Sequence, residues 1–178
     1  MLTGEFRHTV DAKNRLFIPA KHREELGEEL IVARDIRAQV LKVFSLEGWN
    51  EYIAPIKKQE RRVAEPALRY LHRNAAKVTP DSQGRILLPQ ALLDFAGIEK
   101  NAVVVGNCDC VEIWSEALYE AEIENEDRDE LRAKLELLGN VQQYSNAHFV
   151  GCVNQTLQIV WQTKAGRCSK EVRHLIAE

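Results

Sequence analysis

The chain contains the same ten-residue pattern twice, and this internal repeat is the feature that most limits how it can fold. The segment VDAKNRLFIP at residues 10–19 returns as PDSQGRILLP at residues 80–89, an offset of 70 positions. The register continues without a gap through three further pairs: Gly27 and Gly97, Phe44 and Trp114, Trp49 and Tyr119. We therefore predict two copies of one small fold, which can pack as a pseudo-dimer inside one chain.

Composition is that of an ordinary globular protein, with 178 residues of which 45% are hydrophobic and 29% charged. A single copy, at roughly 50 to 70 residues, would be marginally stable alone, so a joint core is expected. The longest apolar runs, such as residues 102–105, are far too short to span a bilayer. The first five residues lack the charged-then-apolar order of a signal peptide, so the expected location is the cytoplasm.

The distribution of charge predicts a polarised molecule. The formal net charge of −3 argues against indiscriminate coating of nucleic acid, which usually needs a strongly basic chain. Two stretches are nevertheless basic, residues 5–23 and residues 57–77, and the acidic residues are concentrated in residues 116–130. A basic face with an acidic flank is consistent with binding a polyanion through one side only.

Cysteine usage and motif content argue against a disulfide framework, a metal site and an enzyme. The four cysteines are absent from the first copy, and reduced thiols are therefore favoured over disulfides that would stabilise both copies. Cys108-x-Cys110 lacks the two-residue spacer of structural zinc sites, so we predict no metal site and no cofactor. The chain contains no phosphate-binding glycine loop, nucleophile elbow or His-Glu-x-x-His helix, so no catalytic residues are predicted.

The repeated motif specifies a turn. Asp11 and Asp81 open it, and its fourth position is Asn14 in one copy and Gly84 in the other, two residue types that tolerate positive φ. This combination predicts a short hairpin built on a type I turn followed by a left-handed residue, with the arginine beginning the next strand.

The rest of each copy is expected to be a helix followed by two strands and a helical appendage. Ser45 and Ser115 are placed to N-cap the appendages, and Pro55 should end or kink the first one. The predicted organisation is a first domain at 1–53, a helical linker at 54–74, a second domain at 75–119, a C-terminal helix at 120–140 and an unassigned tail at 141–178.

Five cations near the turns are the candidate DNA-binding residues: Arg15, Arg85, Lys13, Arg7 and Lys77. The planar guanidinium of arginine binds a phosphate or a guanine edge bidentately, which suits this task. In a structural interpretation, Asp11 with Arg15 and Asp81 with Arg85 are instead ion pairs that stabilise each hairpin. The two interpretations are compatible, and the residue chemistry leaves both open.

The doubled motif, Asp11-Ala12-Lys13-Asn14-Arg15 and Asp81-Ser82-Gln83-Gly84-Arg85, resembles the signature of the MraZ family, bacterial regulators built from two fused SpoVT/AbrB-type domains. The similarity covers about residues 1 to 140 and includes Gly4, Leu88-Pro89 and residues 112–115. It implies an α+β fold of two tandem AbrB-like swapped-hairpin β domains, which form an intramolecular pseudo-dimer with flanking helices.

The resemblance also implies a function. Family members are transcriptional regulators, typically repressors, of the division and cell wall gene cluster; they bind promoter direct repeats as ring-shaped homo-oligomers and associate with the nucleoid. The DNA-contacting motif arginines carry over onto Arg15 and Arg85. Two alternatives are an antitoxin-like AbrB-fold protein that binds a partner toxin and an assembly scaffold that does not bind DNA.

Overall fold

The computed structural model describes residues 1–142, with eight strands and six helices in that part of the chain. The strands are β1 Leu2–Thr9, β2 Arg15–Phe17, β3 Leu30–Arg34, β4 Leu41–Ser45, β5 Ala75–Val78, β6 Arg85–Leu87, β7 Asn101–Cys108 and β8 Cys110–Ser115. The helices are α1 Ala20–Leu26, α2 Leu46–Lys57, α3 Arg61–Arg73, α4 Gln90–Ala96, α5 Glu116–Glu124 and α6 Arg128–Gln142. Nearly all of the predicted tail, with Cys152 and Cys168, lies outside the described residues.

The strands form a six-stranded sheet in the order β1-β7-β8-β4-β3-β5 and a two-stranded ribbon of β2 and β6, and all pairs are antiparallel. At the offset of 70 residues, each strand of the first copy has its equivalent in the second. When each strand is replaced by its equivalent in the other copy, the strand order is the same order read from the opposite edge of the sheet. A pseudo-two-fold axis therefore passes between β4 and β8, where Lys42 lies opposite Glu112.

The first strand of each copy pairs with the other copy. β1 pairs along its eight residues with β7, and β5 pairs with β3. The turn expected within each copy is present. The two strands that flank it, however, pair with strands of the other copy, across the pseudo-dyad. An isolated copy would leave these strand edges unpaired, whereas the exchange satisfies them. The swapped-hairpin pseudo-dimer is confirmed.

The main hydrophobic core is shared by both copies. Leu16 and Ile86 point inward from the ribbon and are fully buried, and they belong to the same apolar cluster as Val43 and Val111 of the central strands. Since this cluster draws on both copies, neither could bury its apolar residues alone. A second, smaller cluster lies under α2 and α3 and contains Phe44, Trp49, Ile53 and Leu71.

The predicted helix caps are present. The Ser45 hydroxyl accepts a hydrogen bond from the Gly48 amide at 3.0 Å, and the Ser115 hydroxyl accepts one from the Leu118 amide at 3.4 Å. Pro55 lies in the last turn of α2, which ends two residues later at Lys57. Proline has no N–H to donate to the carbonyl four residues before it, so it weakens the helix at this point, and the helix ends within the same turn.

The chain divides into a unit of residues 1–126 and a second unit that begins at Asp127. The expected C-terminal helix at 120–140 is two helices, the end of α5 and most of α6, and α6 continues through Gly139 to Gln142. Among the described residues, none of the helices combines the length and the apolar character needed to cross a membrane.

Candidate nucleic-acid interface

The two motif turns have the same hydrogen-bonding pattern. Asp11 Oδ1 accepts hydrogen bonds from the amides of Lys13 at 2.8 Å and Arg15 at 2.9 Å. Asp81 Oδ1 accepts the equivalent bonds from the amides of Gln83 at 2.9 Å and Arg85 at 3.0 Å. The aspartate side chain therefore holds the turn by local bonding, as short polar residues do at turn starts.

The fourth residue of each turn takes a left-handed conformation, as the motif predicted. Asn14 has φ 58° and Gly84 has φ 77°. Hydrogen bonds of 2.9 and 2.8 Å run from the amides of these residues to the carbonyls of Asp11 and Asp81 and complete each turn. The turn is thus determined by five consecutive residues, which explains why it could be predicted from the repeat.

Each motif arginine forms an ion pair with its own aspartate, in which two guanidinium nitrogens donate to one carboxylate oxygen. Arg15 donates from Nε and Nη2 to Asp11 Oδ2 at 2.7 Å each, and Arg85 donates to Asp81 Oδ2 at 2.9 and 2.7 Å. These hydrogen bonds from the guanidinium groups lower the pKa of both aspartates to about 2. The ion pairs of the structural interpretation are therefore present, and they hold both arginine side chains in position.

The ribbon brings the two motifs together on one surface. Arg15 pairs with Leu87 and Phe17 pairs with Arg85, so these four side chains lie on the outward face, opposite the buried Leu16 and Ile86. The amide of Ile18 donates to the Gly84 carbonyl at 3.0 Å, and the amide of Leu88 donates to the Asn14 carbonyl at 2.8 Å. We call this outward face, with Arg15, Phe17, Arg85 and Leu87, the ribbon face.

The other three candidate cations differ in their surroundings. Lys13 lies exposed at the tip of the first turn. Arg7 is on β1, where it forms ion pairs with Glu116 at 2.8 Å and Glu120 at 3.1 Å.

Lys77 is on β5, at the opposite edge of the six-stranded sheet, and pairs with Glu29 at 2.6 Å. Of these three cations, only Lys13 belongs to a motif turn.

Sequence reasoning missed Arg23 on α1. Its Nε donates to the Ile18 carbonyl at 3.0 Å, and its guanidinium lies over the Phe17 ring, 5.8 Å from the centroid. The sequence signal that could have drawn attention to Arg23 is that its equivalent 70 residues later is the apolar Leu93.

The second basic stretch forms a separate feature. A groove of about 470 Å³ lies between α2 and α3, with Lys57, Arg61, Arg69 and His72 in its lining. The side chains of Arg61 and Arg69 are strongly exposed. Across residues 1–142, no group of three or more His, Cys, Asp or Glu side chains is arranged to hold a metal ion.

Two equivalent turns joined across an intramolecular dyad, with each copy supplying strands to the other, define a tandem AbrB-like swapped-hairpin protein. A family model described as "MraZ protein, putative antitoxin-like" matches residues 1–70 and again residues 71–138. The chain belongs to the MraZ family of transcriptional regulators.

Curated relatives agree with this assignment. The chain is 38% identical over 143 residues to "Transcriptional regulator MraZ" of Caldicellulosiruptor bescii, and the alignment covers 78% of this chain and 99% of the relative. The protein of the same name from Acetivibrio thermocellus is 36% identical with the same coverage. The one from Carboxydothermus hydrogenoformans is 41% identical over 121 residues, 67% of this chain and 84% of the relative.

Proposed function

We propose that this chain binds double-stranded DNA through the ribbon face and regulates transcription from promoter direct repeats of the division and cell wall gene cluster. The proposed contacts are Arg15, Arg85 and Lys13, with Arg7 and Lys77 at the flanks. The observation that carries this proposal is the pair of equivalent arginines on one outward face, each held in place by its own aspartate.

The chemistry of the arginine side chain supports this assignment. A guanidinium has five N–H donors, and the aspartate of each motif engages only the Nε and Nη2 nitrogens. The remaining donors have no hydrogen-bond partner among residues 1–142, so they can meet a phosphate or a base edge. Because the aspartate already holds each guanidinium in one orientation, little side-chain entropy is lost when DNA binds.

We further propose that the chain acts in the cytoplasm, at the nucleoid, as a non-enzymatic repressor that assembles into a ring-shaped homo-oligomer. A ring would present many ribbon faces in series. Weak contacts could then add through multivalency on repeated sites, which also explains why a chain of net charge −3 can bind DNA selectively.

The test compares the wild-type chain with an Arg15→Ala, Arg85→Ala double variant on DNA from the division-cluster promoter, across a salt series. Loss of a steeply salt-dependent interaction in a variant that still assembles is the expected result. The matched control is Arg61→Ala, Arg69→Ala, which removes the same charge from the groove between α2 and α3. Loss of binding in the control alone would move the DNA surface to that groove.

A further inference from the structure

The starting observation is that Arg23 is held against the second turn by three contacts. Its Nε donates to the Ile18 carbonyl, and its guanidinium lies over the Phe17 ring. The third contact is with Gly84, where an added Cβ would lie 2.6 Å from both Cζ and Nε of Arg23 and 2.9 Å from Nη2. The glycine is thus buried directly against the guanidinium.

The first turn has no such arrangement. At the position equivalent to Gly84, Asn14 donates from its side-chain amide to Gln90 Oε1 at 2.9 Å. The position equivalent to Arg23 is Leu93, which is buried in the core. The two turns therefore share their backbone conformation and differ in the side chain that packs beside them.

Charge also distinguishes Arg23 from the motif arginines. Arg15 and Arg85 are paired with Asp11 and Asp81, whereas no carboxylate of residues 1–142 lies within ion-pair distance of Arg23. Arg23 is partly exposed and is fixed in place by its neighbours. It is a positioned cation beside the ribbon face whose charge is not compensated by an acid.

We infer that Arg23 is a further phosphate-contacting residue of the DNA surface, and that position 84 is glycine because a side chain there would displace the guanidinium. This inference rests on the proposed function. It also makes the surface directional. The first turn has a cation at its tip, Lys13. The second turn has the uncharged Gln83 at its tip, and its cation, Arg23, packs beside the base of the turn. Such a surface would bind a non-palindromic site in one orientation.

The experiment measures DNA affinity against salt for Arg23→Gln, Arg23→Lys and Gly84→Asn. Arg23→Gln should weaken binding to all sequences alike and reduce the magnitude of the salt slope by about 0.9 for each Arg23 that contacts a phosphate. Arg23→Lys should retain the slope, because it retains the charge. Gly84→Asn keeps the charge and tolerates the left-handed turn but displaces the guanidinium, so its DNA affinity and salt slope should resemble those of Arg23→Gln. The loss of affinity in the double variant Arg23→Gln, Gly84→Asn should be smaller than the sum of the two single losses.

The matched control is Lys21→Gln, which removes one charge from the same helix, where Lys21 donates to Thr3 Oγ1 at 3.0 Å. It should leave the slope unchanged. If Arg23→Gln binds with the wild-type affinity and slope while Arg15→Ala, Arg85→Ala does not bind, Arg23 is a structural residue and this inference is wrong. If the wild-type chain does not bind the promoter at all, the proposed function fails and the inference fails with it.

Discussion

At the scale of single residues, the two copies differ in polarity at positions beside the ribbon. The His8 ring packs against Phe17 with centroids 5.1 Å apart, and its Nε2 is buried without a hydrogen-bond partner among the described residues. The equivalent residues of the second copy are Val78 and Leu87, both aliphatic. Burial lowers the pKa of His8, because the charged imidazolium is poorly solvated there.

This burial predicts that the fold weakens in mild acid. The pKa of His8 is lower in the folded chain than its unfolded value of about 6.5, so protonation favours unfolding. The stability is fully present above that value and declines as the pH falls below it. Thermal unfolding should show a larger fall in Tm between about pH 7.5 and about pH 5.5 for the wild type than for His8→Val.

Two further features make this comparison specific. The Asp11 and Asp81 ion pairs cannot cause the change, since their pKa of about 2 confines their loss to much stronger acid. His72→Gln, at an exposed histidine, should keep the wild-type pH dependence. An equal fall in Tm for the wild type and His8→Val would exclude His8 as the titrating group.

At the scale of elements, the pairing of β1 with β7 depends on a close approach of two backbones. Gly4 lies opposite Gly106 in the register. A Cβ added at Gly106 would lie 2.4 Å from the backbone nitrogen of Thr3 and 2.6 Å from the carbonyl carbon of Leu2. Neither atom can move without shifting the strand, so Gly106 controls how closely the exchanged strand binds.

Gly106→Ala should therefore separate β1 from β7 near Thr3 and lower the free energy of unfolding by about 2 kcal/mol. Urea unfolding would measure the loss, and faster hydrogen exchange at β1 amides would locate it. Gly27→Ala is a useful comparison, because Gly27 has positive φ but open space around it. Gly106→Ala should cost more, although it introduces no strain in φ; unchanged β1 exchange would contradict the steric argument.

At the scale of the whole molecule, the pseudo-dyad joins residues of opposite charge. Lys42 Nζ lies 3.9 Å from Glu112 Oε1 and 3.3 Å from Asp35 Oδ1, and the three side chains are at most 15% exposed. In a symmetric pair of identical copies, the same axis would bring together two lysines or two glutamates. The charges therefore favour pairing of the first copy with the second.

Lys42→Met should leave Asp35 and Glu112 buried without their cation and lower the free energy of unfolding by about 3 kcal/mol. Urea unfolding is the measurement. Lys42→Arg keeps the charge and should lose much less. An equal loss in Lys42→Arg and Lys42→Met would show that packing, not charge, is responsible.

The sequence by itself determined the features whose causes lie within a few residues. The duplication is visible as a pattern, and the turns follow from an aspartate, a residue that tolerates positive φ and an arginine held within five positions. The serine caps are equally local. The family resemblance supplied the exchange of strands, which turn chemistry alone did not predict.

Only the tertiary structure decided which strand edges pair and which side chains meet across the chain. Backbone amides and carbonyls are chemically alike in every strand, so hydrogen bonding does not identify the partner of β1 or β2, and the burial of a joint core selects it. The contact of Arg23 with Gly84 and the opposition of Lys42 and Glu112 join residues far apart in sequence. Such contacts follow from the packing of whole elements, and no local pattern encodes them.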